Sequence, residues 1–479
     1  MSGVHGGLVG NRGRNPLPAE RRPGFRNLLA TAPGHPRLPD PVLAALALRI
    51  ARQAPREHPR MPAGYTYLLQ FIAHDSVFSD TPVWAELGAE APAANSRLRR
   101  LNLDTILGGG PAQCPHAYAP PERVALRIGR LGNGAARDIP RIGEPGLGLT
   151  DALIADARND DNALLSQLCV LFHLLYNTAL TQARRGAEPM LAAHRLTRAV
   201  YHAIIRHDLL PRIMHPAVLA HYVLDGALLD PCEDEDIAVE FSHGAFRFAH
   251  AMVRHEYRVA GQTPQPAAEA LAFTSARGPR RMPMPEHWVV RWRHFFDGLG
   301  APAQRAMLIQ PAYPPQLTAA RFFPAIDGTG RAGLPYRDLL SAEHAGAWPV
   351  GALIDALLAA CPAGDPRAQA LRQSGLAEAH ARRAAVAAWL DDTSLAAVAE
   401  APPLPFFIML EALHGGGERL GALGSIILAE TLFPPLRGMA AENEAALRGT
   451  PLAGIRTMPA LIRLLARENG LRAAEPPFI

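Results

Sequence analysis

Three short segments hold residue types that could do proton and charge chemistry. The first is Tyr67-Leu68-Leu69-Gln70-Phe71-Ile72-Ala73-His74-Asp75, mostly apolar yet carrying a glutamine, a histidine and an aspartate. A helix through it sets Gln70 and His74 one turn apart on one face, with Asp75 turned to the side. A neutral imidazole, with an ordinary pKa of about 6.5, can give and take a proton near neutrality. Taken alone, a core histidine hydrogen-bonded to a glutamine is the simpler account of the pair. The second segment is Asp156-Ala157-Arg158-Asn159-Asp160-Asp161-Asn162. Its three carboxylates suit the positive end of a helix dipole. An arginine gains little there, so Arg158 reads as aimed at an anion or at developing charge. The third is Phe246-Arg247-Phe248-Ala249-His250-Ala251-Met252. Small residues on either side of His250 leave room for something flat and bulky over its ring, although a plain core histidine fits this segment too.

The elements that must position these residues read as helices. Residues 151–185 predict a long helix: Leu164, Leu165, Leu168, Leu171, Phe172, Leu175 and Ala179 recur at helical spacing, with Arg158 and Asp161 at its start. A helix follows Gly64 and carries Gln70 and His74. Another spans 236–258 and carries His250. Short helices are expected at 41–55 (after Asp40 as a cap), within 189–228, at 350–361 and at 376–391. Two more, 404–413 and 420–432, flank Gly415-Gly416-Gly417. Residues 1–40 are rich in Gly, Pro and Arg and form an extended arm. The stretches 85–150 and 262–335 are irregular, with Trp288 and Trp292 as packing anchors. No strand alternation or repeat is convincing. The expected fold is mainly α: an arm over 1–40, then one large helical domain over 41–479 with long irregular loops and little or no β.

Composition narrows the chemistry. Among 479 residues, 48% are hydrophobic and 19% charged, enough to bury a sizeable core. All 48 basic residues are arginine, which excludes Schiff-base, P-loop and general-base roles for lysine. The net charge of +4 is small, and pairs such as Arg99-Arg100 and Arg280-Arg281 are isolated, so nucleic acid is not an expected partner. The four cysteines (Cys114, Cys169, Cys232, Cys361) form no CxxC pair, which argues against zinc and iron–sulfur sites. No signal-peptide pattern opens the chain, and no apolar stretch reads as the roughly 20 residues that span a bilayer. A soluble, cytoplasmic protein is expected.

Together and in this order, the three segments resemble the animal-type haem peroxidases of the peroxidase–cyclooxygenase superfamily, and look closest to its bacterial branch. Gln70-Phe71-Ile72-Ala73-His74-Asp75 is similar to the family's Gln-Phe-Ile-x-His-Asp pattern. Ala155–Asp161 resembles its Gly-Asp-x-Arg-x-x-Glu segment, and Phe246–His250 its Phe-Arg-Phe/Tyr-x-His pattern. Two further segments look similar: Leu334-Pro335-Tyr336-Arg337-Asp338, and Gly416–Gly424 running to Glu430. The likeness covers most of the chain, from about residue 5 to 440.

That resemblance implies a haem b enzyme that reduces hydrogen peroxide and oxidises a small organic or inorganic substrate through a ferryl intermediate. His250 would be the axial iron ligand, with Asp338 in the place of the family's asparagine. A carboxylate there would push more electron density onto iron. His74 would shuttle the proton between the peroxide oxygens, Arg158 would stabilise the leaving oxygen, and Gln70 would hydrogen-bond peroxide or water. Phe71 and Asp161 would lie against the haem. The family's first ester-forming position is Ala73 and its second is Asp161, one methylene short, so the haem is expected to be held mainly without covalent links. Two arginines that meet the propionates appear as Ser341 and Glu343, and a His-Asn pair as Tyr176-Asn177. The resemblance also raises calcium, with Asp75, Asn102 and Asp104 as ligands. Two other functions compete. A fatty-acid dioxygenase of the cyclooxygenase branch needs a tyrosine three residues before the axial histidine, where Arg247 stands. A non-catalytic haem-binding protein would have no need of Gln70, His74, Arg158 and His250 together.

Overall fold

A computed structural model describes residues 24–29, 32–34, 36–79, 95, 97, 100–130, 137–144, 149–184, 186–224, 227–228, 236–275, 286–325 and 331–469. Cys232, Arg99, Arg280 and Arg281 lie outside the described residues.

The molecule is built around the helix Ala163–Ala183. Its leucines lie on more than one face and 17 of its 21 residues are buried, so it must be enclosed on all sides. The helices Gly64–Ser76, Pro189–Ile204 and Met458–Glu468 pack against it. It is also, by itself, long and apolar enough to cross a membrane, contrary to the reading of the sequence; 94% of its most apolar window is buried inside the protein, which accounts for that character. Its first turn is closed by Asn162, whose Oδ1 accepts the Leu165 N–H at 2.9 Å.

The Gly64–Ser76 helix starts where the chain passes under Phe295 and Phe296. A Cβ at Gly64 would fall 2.4 Å from Phe296 Cζ, and the Gly64 N–H donates to the Phe295 carbonyl at 3.0 Å. Only glycine allows that approach. Phe71 locks the helix to the central one: it stacks on Phe172 at 4.4 Å between centroids and meets Tyr201 edge-on at 6.0 Å.

Two site segments differ from their expected form. Arg158 is not on the central helix. Ala157–Asp160 is a separate 3-10 turn, and the extended backbone of Asn162 breaks it from Ala163–Ala183. His250 is not on a long α-helix either. A π turn, Glu240–Gly244, runs into a 3-10 helix, Ala245–Met252. Gly244 permits this by close contact, since a Cβ there would lie 2.5 Å from Leu404 Cδ2. Arg247 Nε also takes the Ser242 carbonyl at 3.0 Å, away from the regular helical ladder.

Helices Leu334–His344, Leu404–His414 and Ala422–Gly438 complete the wall around this segment. Strand is confined, among the described residues, to two-stranded ladders such as Arg141–Glu144 with Leu149–Ala152. The mainly α class therefore holds. The described part of the N-terminal arm lies on the body: Phe25–Arg26 pairs with Ile237–Ala238, and buried Glu240 accepts from Asn27, Leu28 and Trp348. Trp288 and Trp292 are buried, as expected of anchors.

Candidate active site

His74 stands in the last turn of the Gly64–Ser76 helix and is 8% exposed. Its Nδ1 lies 3.1 Å from Asn159 Oδ1. The amide of Asn159 has a determined orientation, because its Nδ2 donates to the carbonyl of Thr105 at 3.1 Å and to its hydroxyl at 2.9 Å. A carbonyl can only accept, so Oδ1 faces His74 and Nδ1 of His74 carries the proton. Nε2 is then the unprotonated nitrogen. The Asp161 carboxylate lies on that same edge, 3.9 Å away and one-third exposed.

Gln70 is oriented in the same way, by a neighbouring amide. Asn162 Oδ1 is used by the Leu165 N–H, so its Nδ2 donates to Gln70 Oε1 at 3.2 Å. The amide N–H groups of Gln70 are thereby turned away from Asn162.

Arg158 is beside His74, but most of its donors are taken up within the protein. Nε and Nη2 bind Asp156 at 3.0 and 2.6 Å; Nη2 also reaches the His74 carbonyl at 2.8 Å, and Nη1 the Val77 carbonyl at 2.7 Å. The anion anticipated from the sequence is thus Asp156, two residues earlier, together with the negative end of the Gly64–Ser76 helix. A second guanidinium, Arg97, binds Asp156 at 2.7 Å and the His74 carbonyl at 3.3 Å. Burial would raise the Asp156 carboxyl, but Arg158 and Arg97 hold it well below the ordinary range. The same surroundings act oppositely on His74. Burial and the Arg158 charge push its imidazole down to about 3, against the pull of Asp156.

On the other side, His250 Nδ1 donates to Asp338 Oδ2 at 2.7 Å. The same oxygen accepts the Tyr313 hydroxyl at 2.8 Å, and Arg247 Nη1 lies 3.4 Å from Oδ1. Burial alone would raise the Asp338 carboxyl; His250, Arg247 and Tyr313 outweigh it and hold the group below the usual range. The Thr66 hydroxyl donates to the Met252 carbonyl at 3.4 Å and ties the His74 helix to the His250 segment.

Both histidines therefore commit Nδ1 to an oxygen acceptor, and Nε2 is the ring nitrogen left for a further partner. An imidazole with a carboxylate partner on its far nitrogen is the donor chemistry of an axial haem ligand, so His250 and Asp338 fit that group. Ser341 and Glu343 carry no positive charge to meet a propionate. The Ser341 hydroxyl is buried without a partner among the described residues, and Glu343 accepts the Leu38 N–H at 3.3 Å.

Gln70 and His74 share the Gly64–Ser76 helix, with Arg158 on the His74 carbonyl and Asp161 near its Nε2, and His250 with Asp338 forms a second cluster on an element joined to that helix by the Thr66–Met252 hydrogen bond. Phe71 is a correction: it is fully buried against Phe172 and Tyr201, on the core face of its helix, and does not line the site. Asp75, Asn102 and Asp104 do not converge as calcium ligands. Asp75 Oδ2 and Oδ1 accept the Leu103 and Thr105 N–H groups at 3.1 and 3.3 Å, and Asn102 Nδ2 donates to Asp104 Oδ1 at 3.2 Å. Calcium needs oxygens turned toward it, not carboxylates occupied by N–H donors. Burial and the nearby Asp104 charge raise the Asp75 carboxyl to about 7. Asn177, from the Tyr176-Asn177 pair, holds the loop at Leu126 through two 2.8 Å bonds.

Arg97, Thr105, Asn159 and Tyr313 were missed as site residues. Arg97 and Tyr313 come from irregular stretches with no periodicity to read, and Asn159 lay unremarked beside Arg158.

No family model matches the sequence, and no curated protein matches it. Solved structures do. Peroxidase A from Dictyostelium discoideum superposes with a TM-score of 0.60 at 14% identity, covering 95% of each chain. A fatty acid alpha-dioxygenase from Arabidopsis thaliana gives 0.59 at 13% identity, over 91% of this chain and 76% of its own. A variant of the Oryza sativa fatty acid alpha-dioxygenase with palmitic acid gives 0.56 at 14%, over 91% and 80%. The chain thus shares the mainly helical fold of these solved peroxidase and dioxygenase structures. The affinity to a bacterial branch rests on the sequence motifs alone.

Proposed function

We propose that this chain is a haem-dependent peroxidase that reduces hydrogen peroxide and oxidises a small reducing substrate. The observation that carries the reading is the matched pair of histidines, each with Nδ1 held by an acceptor and Nε2 kept as a base. His250 would hold haem b as the axial ligand, with Asp338 raising its basicity. When bound, haem supplies the iron that accepts the oxidising equivalents of peroxide. His74 Nε2 takes a proton from hydrogen peroxide and returns it to the departing oxygen. Gln70 offers an amide N–H to the same molecule. Arg158 acts by fixing the end of the His74 helix and by keeping the imidazole neutral through its charge. Among the described residues four of its five N–H groups are engaged, and the remaining one, on Nη1, would be offered to the departing oxygen. Ala73 has no carboxylate, so the haem is held mainly without covalent links.

The dioxygenase reading finds support in the names of two structural neighbours. It lacks its tyrosine: Arg247 occupies that position and is bound to Ser242 and Asp338. The deciding experiment is the Soret spectrum of purified protein before and after hydrogen peroxide, repeated with His74→Ala. Positioned proton shuttling is worth roughly 100- to 10,000-fold, so the variant should bind haem but cleave peroxide slower by that factor. Unchanged turnover would sink the assignment.

A further inference from the structure

Among the buried phenols that the chemistry above does not use, one meets the carboxylate partner of His250. Tyr313 is 1% exposed, and its hydroxyl donates to the Asp338 oxygen that also accepts the His250 N–H. The two rings stand edge to face, 6.0 Å between centroids. A single carboxylate oxygen thus joins phenol and imidazole through hydrogen bonds of 2.8 and 2.7 Å. Loss of one electron makes a phenol a strong acid, so its oxidation is easy only where a base can take the proton at once. An amide at position 338 could accept the hydrogen bond but not the proton; a carboxylate can do both. Tyr65 also donates to a buried carboxylate, Asp208 at 2.7 Å, but that carboxylate serves Arg212 and Met458 and neither histidine.

We propose that Tyr313 is a redox-active residue that stores one oxidising equivalent. This rests on the peroxidase reading, which supplies the oxidant: haem that has been oxidised by hydrogen peroxide. One electron leaves Tyr313 for the haem site by way of Asp338 and His250. The phenolic O–H bond breaks, and its proton passes to Asp338 Oδ2, leaving a neutral tyrosyl radical. An electron from the reducing substrate, with the proton returned from Asp338, restores the phenol. Burial shields the radical from solvent and from radicals on other molecules, so the reductant it serves is a small electron donor and not a bulky substrate in direct contact.

The test is electron paramagnetic resonance of the haem-loaded full chain, frozen after mixing with one equivalent of hydrogen peroxide, with the Soret band followed in parallel. The expected result is an organic radical whose hyperfine structure narrows in protein made with ring-deuterated tyrosine. It should be lost from Tyr313→Phe samples in which peroxide still changes the Soret band. A Soret change with a signal that survives Tyr313→Phe, or that ignores ring deuteration, overturns the proposal and leaves the peroxidase reading standing. The deuteration arm uses the unsubstituted chain, so a signal that ignores it overturns the proposal even if the variant folds poorly. No Soret change with peroxide overturns both.

Discussion

Replacing Asn159 by leucine should slow peroxide cleavage without displacing His74 from its helix. In the native chain the His74 N–H has an acceptor at 3.1 Å, which makes Nε2 the base. Leucine fills a similar space but accepts nothing. A buried donor left without a partner costs about 1–3 kcal/mol. The other tautomer escapes that cost, because its proton sits on Nε2 and faces the Asp161 carboxylate 3.9 Å away. At about 1.4 kcal/mol per factor of ten, the competent tautomer falls to between roughly one molecule in five and one in 150. The second-order rate constant for peroxide cleavage, followed by stopped-flow at the Soret band with haem saturating, should drop by the same factor of about 5 to 150. The Thr105 carbonyl also loses its donor, so some stability is lost as well. Asn159→Asp separates the two effects: it loses the Thr105 bonds but still accepts from Nδ1–H, and should retain most of the rate. A leucine variant as fast as the native protein, or aspartate and leucine variants equally slow, would refute the tautomer argument.

Three further outcomes are expected. Because burial and Arg158 hold the His74 imidazole at about 3, the rate of peroxide cleavage should stay flat from about pH 8 to about pH 5; an inflection near the ordinary value of 6.5 would show that the imidazole is not depressed. The same depression has a sign for stability: the unfolded chain takes up this proton below 6.5 and the folded chain only near 3, so the His74 contribution is complete above 6.5 and is lost as pH falls toward 3. Calcium or a chelator should leave the melting temperature unchanged, since Asp75 is occupied by backbone N–H groups. A bound ion at a hundred times its dissociation constant would add about 2.7 kcal/mol, a rise easily seen in a melt. Acidified organic solvent should extract the haem; colour remaining with the protein would place a covalent link at Asp161.

What was legible in the sequence follows from how local its signals are. The periodic leucines of 163–183 specify a buried helix because burial repeats every turn, and the structure has one there. The helix through Gln70 and His74 was legible for the same reason. The four-way set of Gln70, His74, Arg158 and His250 could be picked out because their order along the chain is itself a pattern. Phe71 was misread because a hexapeptide motif does not say which of its side chains face the site, and the helix turns Phe71 onto Phe172. The His250 segment was misread as a regular helix because its departure depends on Leu404, far along the chain, pressing on Gly244.

The sequence by itself determined the fold class, the core helix and the residue types available for proton chemistry. Tertiary structure alone decided what those residues can do. His74 meets Asn159 across 85 positions and His250 meets Asp338 across 88, and in each case a hydrogen bond on one ring nitrogen assigns the chemistry of the other. Arg158 shows the same division: its charge is plain in the sequence, but its target emerged only when the end of the His74 helix came within 2.8 Å. Side-chain partners this distant leave no periodic trace, because nothing in a helical repeat records which surface it will be pressed against.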